Sequence, residues 1–536
     1  MAKTVAQVMV DQLVNWGVKQ VFGVVGDGIF HLLDALAHQP KIHFYAVRHE
    51  ETAALMASAY AKLTGQVAVC TATSGPGLVH LLNGLADAQK DGVPVVAITG
   101  QVARKDMGTR KKQYIDQQTL VQPLVSYSTL LVDPQATVKL MDRAFRSALS
   151  KRMAAHLCVP LDVFPLPCLE EIRPPEPYLF TETRSNLQVV KEAAKIFDQA
   201  QKPVILAGAG ARKAVQPLRE LAEKWGAGVI HTLGGMGVFP GDHPLALGGL
   251  GHAGSSSAEA ILKQADVCFR VGVNWWPEDY IPQNITVIEL DHEPANIGGS
   301  SPADYGLAGK AENLLPEITS FIQPAERKDW SKILHKGHLD WHLQVQREAN
   351  GKDPRVPPAK IVQSLGEVVA AEAVICLDTG DHTIWFGRNF IPQEQRILLS
   401  GKWRTMGFGL PAALAAKIAE PNRQVTALVG DGGMGMLLAD FTTAVKYNLP
   451  VMIVVVNNGG LIEEKNRMMV GNLIPHGVYL HNPDFAAFAK ACGGEGFTVE
   501  NADELRAAFL DALHCGKPAI VDVRSGDPMI PGTKMN

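Results

Sequence analysis

Along the first 163 residues the hydrophobic pattern changes period repeatedly. Short β-branched runs, VFGVV, IHFYAV, VAVCTAT and PVVAITG, alternate with stretches in which apolar residues recur every three or four positions, IFHLLDALAH, EETAALMASAYAKL and LVHLLNGLADAQ. A strand-like run that turns through glycine into a helical period predicts strand, turn and helix in succession, and hence a parallel sheet covered by helices. The opening MAKTVAQVMVDQLVNWG has polar groups inside its apolar pattern and reads as an amphipathic helix, not a secretory leader. Leu166 to Phe180, LPCLEEIRPPEPYLF, has no period and several prolines, which suits a linker.

The pattern resumes near Asn186 with KPVILAGAGARKA, VIHTLGGMGVF, ADVCFRVGVNWW and ITVIELDHEP, again strands running into glycine turns. GKDPRVPP, Gly351 to Pro358, precedes a third unit of the same kind. The prediction is an α/β protein of three doubly wound parallel-sheet domains, at about 1–170, 186–345 and 356–536, the middle one Rossmann-like. TSGPGLVHLLNGLADAQKDGVPVVAITG and VGDGGMGMLLADFTTAVKYNLPVMIVVVNN match in layout. Gly77 and Pro94 are 17 positions apart, as are Gly433 and Pro450, so the outer domains are expected to be one fold used twice. Such units recur in all doubly wound proteins, which is the alternative.

Composition narrows the choice. A chain of 536 residues exceeds one compact core. With 54 acidic against 50 basic residues and no Lys/Arg block, nucleic acid is not an expected partner. Seven cysteines, odd in number and without a Cys-x-x-Cys pair, point to reduced thiols and a cytoplasmic protein. No run is long and apolar enough to cross a bilayer, so no membrane is expected.

The chemistry concentrates after the strand QVTALV, where Gly430-Asp431-Gly432 is followed by 24 residues and then Asn457-Asn458. A diphosphate at the carboxyl ends of parallel strands needs backbone it can approach, which glycine permits, and a cation. Asp431 and Asn458 offer hard oxygens suited to Mg2+, and a helix N-terminus at Gly433 and Met434 would offer free N–H groups to the same anion.

With that spacing the chain resembles the thiamine diphosphate enzymes, and over nearly its whole length the pyruvate oxidase and acetolactate synthase group. The resemblance implies that the outer domains are thiamine diphosphate-binding folds and that Asp431, Asn458 and the Gly460 backbone carbonyl hold the metal. Gly430, Gly432 and Gly433 would line the cofactor. RHEETAALMASAYAKLTG resembles the segment with the catalytic glutamate, here Glu50, which would bond the aminopyrimidine ring and be buried. Glu51 keeps the bland role of a helix-dipole contact. TMGFGLPAALAAKIAEP places Met406 as the apolar prop of the bent cofactor, and DTGDHTIWFGRNF implicates Gly380, Asp381 and His382 in diphosphate binding. In the VVGDG turn, Gly26 is assigned to the cofactor and Asp27 to the substrate pocket. The histidines His49, His80 and His382 could lie near the site, but none is expected to carry a proton.

Oxidases of this group carry FAD on the middle domain. GAGARKA and the turns after it imply FAD contacts from Gly208, Gly210, Arg212, Thr232, Gly251, Asn274 and Asp291. Lys310, where flavin members usually have an aspartate, supports the alternative of a Rossmann-like domain without its nucleotide. Near the reacting carbon the chain departs from the group, with Lys112-Gln113-Tyr114 in place of Phe-Gln-Glu, and Gly459-Gly460-Leu461-Ile462-Glu463-Glu464-Lys465 after the asparagines. Lys112, Gln113, Glu463 and Glu464 are therefore expected around the substrate pocket, unless the charges face solvent.

The implied activity is thiamine diphosphate- and Mg2+-dependent decarboxylation of a pyruvate-like 2-oxo acid with transfer of the carbanion-enamine, as in pyruvate oxidase. The alternative is an acetolactate synthase-like carboligase or lyase on a more polar substrate. A non-catalytic homologue is disfavoured by Glu50, Asp431 and Asn458. In this family the site forms between subunits, which implies a homodimer at least and commonly a homotetramer.

Overall fold

The computed structural model describes residues 2–175, 184–273, 276, 278–299 and 301–535. Its strands form three six-stranded sheets in which every pairing is parallel. In the first, β1 (Gln20–Gly23), β2 (His43–Ala46), β3 (Ala68–Ala72), β4 (Val95–Gln101), β5 (Tyr127–Leu130) and β6 (Ala154–Pro160) lie in the order β2-β1-β3-β4-β6-β5. The second contains β7 (Pro203–Ala207), β8 (Gly228–His231), β9 (Ala246–Gly249), β10 (Val267–Val271), β11 (Thr286–Asp291) and β12 (Tyr305–Ala308), ordered β12-β11-β10-β7-β8-β9. Numbered from its own first strand this is the dinucleotide-fold order, with the direction of winding reversing between β7 and β10. The third contains β13 (Val374–Leu377), β14 (Arg396–Leu399), β15 (Val425–Gly430), β16 (Met452–Asn457), β17 (Glu495–Val499) and β18 (Ala519–Arg524), ordered β14-β13-β15-β16-β18-β17. That order repeats the first sheet's, so the matching segments belong to one topology used twice.

Central strands such as β3, β4, β7 and β16 are buried along their whole length, as parallel strands covered on both faces must be. The first and third domains share one apolar core. Helix Glu50–Thr64, helix Pro76–Lys90 and helix Gly409–Ala419 meet there through small residues, Ala53, Ala54, Ala57, Ala412, Ala413 and Ala416. Close approach needs them: a Cβ on Gly84 would stand 2.5 Å from the Ala54 carbonyl carbon.

Several polar contacts cross this junction, and two clusters among them matter most. Lys62 lies 2.6 Å from Asp87 and 2.7 Å from Asp91, and donates to the Leu399 carbonyl. Asp87 also accepts from the hydroxyls of Ser58 and Ser400, and Asp91 from the N–H groups of Gly401 and Lys402. In the second, Asp440 of the third domain accepts from Arg48 N–H and the Thr52 hydroxyl, bracketing the start of the helix that Glu50 opens.

The start of the proline-rich stretch is tied to the first domain: Val5 N–H donates to Leu166 O, Cys168 N–H donates to Lys3 O, and Cys168 is buried. Residues 176–180 of that stretch lie outside the described residues. All seven cysteines are unbonded, five of them buried. Among the described residues no helix is long and apolar enough to cross a membrane.

Candidate functional site

The candidate residues gather on two faces, both at the carboxyl ends of parallel strands. On the third-domain face, β15 ends at Gly430 and β16 at Asn457. Asp431 is 2 % exposed and accepts from Gly432 N–H at 2.9 Å, Gly459 N–H at 2.8 Å and the Asn482 amide at 2.6 Å. Asn458 donates its amide to Asp381 at 3.2 Å, which leaves its Oδ1 buried with no hydrogen-bond partner. A buried carbonyl oxygen left bare beside two carboxylates is a costly arrangement in an apolar site and a good one for a hard cation. Burial pushes the Asp431 carboxyl above the usual range against the pull of Asn482 and the two backbone donors, and Asp381 adds to the rise. Gly459 has φ +80°, so glycine suits the turn that leads from Asn458 to Gly460. Gly460 then pairs with Tyr479, and Leu461 N–H donates to Val478 O.

The helix beside the motif spans Asp431–Met436, beginning two residues earlier than expected. At Gly433 a Cβ would lie 2.8 Å from the Asp378 carboxylate, so the close approach there admits only glycine. Asp378, buried at the end of β13, accepts from the N–H groups of Thr379, Gly407 and Gly409, and so fixes the loop that carries Met406. Burial raises its carboxyl, opposed by His382 and these donors. The Met406 Cε lies 3.1 Å from the place a Cβ would take on Gly432, with Leu461 and Leu480 alongside. Gly380 precedes helix Asp381–Asn389, and the His382 ring lies against both Gly380 and Gly430. His382 is 2 % exposed, its two ring nitrogens make no hydrogen bond, and Nδ1 lies 3.8 Å from the Asp381 carboxylate. Unbonded ring nitrogens beside a helix N-terminus and two glycines are features that would suit a cradle for an anion.

On the first-domain face, Glu50 is nearly buried and hydrogen-bonds to His80 Nδ1 at 2.9 Å. His80 stacks on His49, with ring centroids 4.4 Å apart, and His49 caps the helix by accepting from Glu51 N–H. Ligand atoms of His49, Glu50 and His80 lie within 4.8 Å of one another, a grouping the sequence reading did not anticipate. Gly77 is close enough that a Cβ would sit 3.4 Å from Glu50 Oε1. Gly26 and Asp27 face the Thr73 side chain, which accepts from Gly28 N–H and donates to Asp27. Gln113 adopts φ +66° and its carbonyl lies over Gly75. Glu51 bonds Asn83, not the helix end alone.

The charged pocket candidates divide. Glu463 turns inward and pairs with Arg467 at 2.6 Å, its carboxyl raised by burial and held down in part by Arg467 and Arg404. Glu464 is exposed on helix Ile462–Val470, and Lys112 and Gln113 are exposed on their own turn, so within one chain these three do not join the third-domain face. Among the described residues no hydrogen bond or ion pair connects Glu50 to that face.

In the middle domain Gly208, Thr232, Gly251 and Asp291 stand at the carboxyl ends of β7, β8, β9 and β11, where a dinucleotide binds in such a fold. Their side chains are partly engaged already. Arg212 donates to the Gly234 and Ile397 carbonyls, Thr232 caps Gly235, and Asp291 accepts from Glu293 N–H and Asn296. Gly208 and Gly210 pack against Gly272, which by itself accounts for their being glycine. Asn274 lies outside the described residues.

Family models match three stretches: the N-terminal TPP binding domain of thiamine pyrophosphate enzymes at residues 3–120, the central domain at 190–318 and the C-terminal TPP binding domain at 378–523. YdaP of Bacillus subtilis (strain 168), a protein named for thiamine pyrophosphate, is 37% identical over 539 residues, covering 99% of this chain and 93% of its own. An acetolactate synthase of Mycobacterium bovis is 32% identical, covering 94% of this chain and 84% of its own. The large subunit of acetolactate synthase isozyme 3 from Escherichia coli (strain K12) is 31% identical, covering 95% and 92%.

Proposed function

The chain belongs to the thiamine pyrophosphate enzymes, and from that premise we propose that it decarboxylates a 2-oxo acid and joins the remaining fragment to a second carbonyl compound, as an acetolactate synthase-like carboligase. The observation that carries the cofactor site is the bare, buried Oδ1 of Asn458 beside Asp431 and Asp381, and the likeness to acetolactate synthases favours the carboligase. Asp431, Asn458 and the Gly460 carbonyl would hold Mg2+. Gly380, Asp381, His382, Gly430, Gly432 and Gly433 would surround the diphosphate, and Met406 would prop the rings apart. When bound, thiamine diphosphate supplies an acidic thiazolium carbon and an electron sink for decarboxylation.

The chain's own part begins with Glu50. A nearly buried carboxyl next to His80 would hydrogen-bond a ring nitrogen of the cofactor and hold a proton there, and so would promote loss of the thiazolium proton. Glu50→Gln should slow exchange of that proton for deuterium, followed by NMR, and abolish turnover of every accepted 2-oxo acid. Unchanged turnover would refute the mechanism.

Glu50 and the third-domain face would meet between two copies of the chain. Apolar side chains exposed beside them, Val25 at 57%, Phe30 at 56%, Met436 at 60% and Ile474 at 86%, support such an interface. Mixing inactive Glu50→Gln and Asp431→Asn chains tests it. Heterodimers would each contain one intact site, restoring about a quarter of wild-type activity, whereas no recovery would mean that each site lies within one chain. Unbonded cysteines support a cytoplasmic setting.

A second reading, pyruvate oxidase-like, rests on the order of the middle sheet and its strand-end residues, which would suit FAD. Yellow protein bleached by pyruvate under argon would favour the oxidase. Yellow protein that stays unbleached, or colourless protein, would favour the carboligase.

A further inference from the structure

Arg404 adopts φ +57°, a left-handed conformation that glycine takes without strain and a side chain does not. It stands two residues before Met406, in the loop that Asp378 fixes through Gly407 and Gly409. Its side chain is half-buried, and among the described residues its guanidinium makes no hydrogen bond or ion pair. Strain and a poorly solvated, unpaired cation in one residue beside the candidate site suggest a task the bare chain does not complete.

The charges around it give the sign of the missing partner. Burial lowers the Arg404 guanidinium, and Glu463 and Asp378 oppose that shift while Arg467 adds to it. Glu463 is already paired with Arg467 at 2.6 Å. Asp378 is occupied by three backbone donors, and Asp91, the other acid acting on Arg404, by Lys62. Glu463 is therefore taken by Arg467, and among the described residues Arg404 is left without a carboxylate partner of its own. On the first-domain face, Arg110 and Lys112 are exposed and, among the described residues, form no ion pair, next to the strained Gln113 turn. Among the described residues each wall thus presents a cation without an ion pair.

Resting on the carboligase or decarboxylase reading above, we propose that Arg404 binds a second oxyanion at the far end of the substrate, so that the chain acts on 2-oxo acids with a distal carboxylate or sulfonate. The Arg404 fork would take two oxygens of that group. Carbon dioxide then leaves from the near end, by cleavage of the bond between C1 and C2, while Arg404 holds the tail.

The test compares kcat/KM, from carbon dioxide release with ferricyanide as electron acceptor, for 2-oxoglutarate and 3-sulfopyruvate against the neutral-tailed 2-oxopentanoate and pyruvate. Acidic substrates should be preferred at least tenfold, and which of the two is preferred identifies the distal group. Arg404→Gly keeps a residue suited to φ +57°, so it should fold. It should reduce the preference at least tenfold, mainly through KM, and Arg404→Lys should restore part of it. Thermal-shift titration provides a readout apart from turnover: glutarate, an unreactive dianion, should stabilise the wild type more than valerate does, and Arg404→Gly should lose that difference. Turnover of pyruvate without any preference for acidic tails, or a preference unchanged in Arg404→Gly, overturns this inference and leaves the proposed function standing. Failure to turn over any 2-oxo acid with cofactor bound overturns both.

Discussion

Replacing Lys62 with Met removes the cation at the junction of the first and third domains while keeping nearly the same length of apolar stem. Lys62 is 6% exposed, with Asp87 at 0% and Asp91 at 11%. Its Nζ also lies 4.4 Å from the centre of the Phe408 ring, a contact the methionine sulfur and methyl would retain. After the substitution Asp87 keeps two hydroxyl donors and Asp91 two backbone donors, but two buried carboxylates face each other with no positive charge. Removing one member of a buried ion pair costs about 3–5 kcal/mol, and about 4 kcal/mol is expected here. Adding Asp91→Asn to the variant should recover about half of that loss, because one stranded charge goes.

The pH dependence checks the cause. In the wild type, burial raises the Asp91 carboxyl, but Lys62 and the Lys402 and Gly401 N–H groups outweigh it and hold it below the ordinary value. A depressed folded pKa contributes stability above the unfolded value, about 3.9, and that contribution is lost as pH falls through the folded value. Without Lys62 burial prevails, the folded pKa rises above the unfolded one, and stability is regained as pH falls. The penalty of Lys62→Met should therefore shrink between pH 7 and pH 5.5. Urea unfolding followed by tryptophan fluorescence would measure it, since Trp403 donates to Asn83 across the same junction. A loss under about 1 kcal/mol at pH 7, or one independent of pH, would refute the assignment of this cluster as a buried ion pair.

Three further outcomes are expected. Asn458→Ala should weaken Mg2+ binding about 10–100-fold with only a small change in the melting temperature of the metal-free protein, since loss of the bare acceptor offsets loss of the amide donor to Asp381; equal Mg2+ affinity in a thermal-shift titration would exclude Asn458 as a ligand. Asp440→Ala strands Arg48 N–H and the Thr52 hydroxyl and should cost about 3 kcal/mol, with slower deuterium exchange on the cofactor because the helix start carrying Glu50 loosens; normal exchange would separate Asp440 from that helix's function. Met406→Ala should lower kcat about tenfold with little change in cofactor affinity, and the reverse pattern would assign Met406 to binding instead of shape.

The parallel sheets, their number and the repetition of one topology were readable because period and glycine turns are local properties of the chain. So was the motif from Gly430 to Asn458, whose spacing is set by one strand, helix and strand. What escaped the sequence was settled by tertiary proximity. His80 was set aside as an ordinary histidine, yet it meets Glu50 because helix Glu50–Thr64 and helix Pro76–Lys90 pack start to start. Asn482, 51 positions from Asp431, gave no local sign of its bond to that carboxylate. Asp378 stood inside a recognised segment but two residues before those singled out. Glu463 and Glu464 are neighbours of identical chemistry, and only the phase of helix Ile462–Val470 turns one inward and the other to solvent. Arg404 could not be distinguished in sequence either, because its interest lies in a dihedral angle.

The repeated topology also indicates how one fold came to contribute two different halves of a site. After β3 the chain runs through Thr73–Gly75 into one unbroken helix, Pro76–Lys90. After β15, at the equivalent place, the helical stretch is broken into Asp431–Met436, a turn at Leu438–Asp440 and Phe441–Lys446. Gly432, Gly433 and Gly435 lower helix propensity in the first piece, and the break turns Asp440 toward the first domain while Asp431 stays bonded to Gly459 N–H and Asn482. The intact copy therefore keeps a rigid support for Glu50 and His80, whereas the broken copy gives up helix regularity and gains a carboxylate on each side. One of these carboxylates belongs to the candidate cation site and the other holds the start of the Glu50 helix, so a shift in the Gly430–Asp440 segment would be felt at both faces of the same chain.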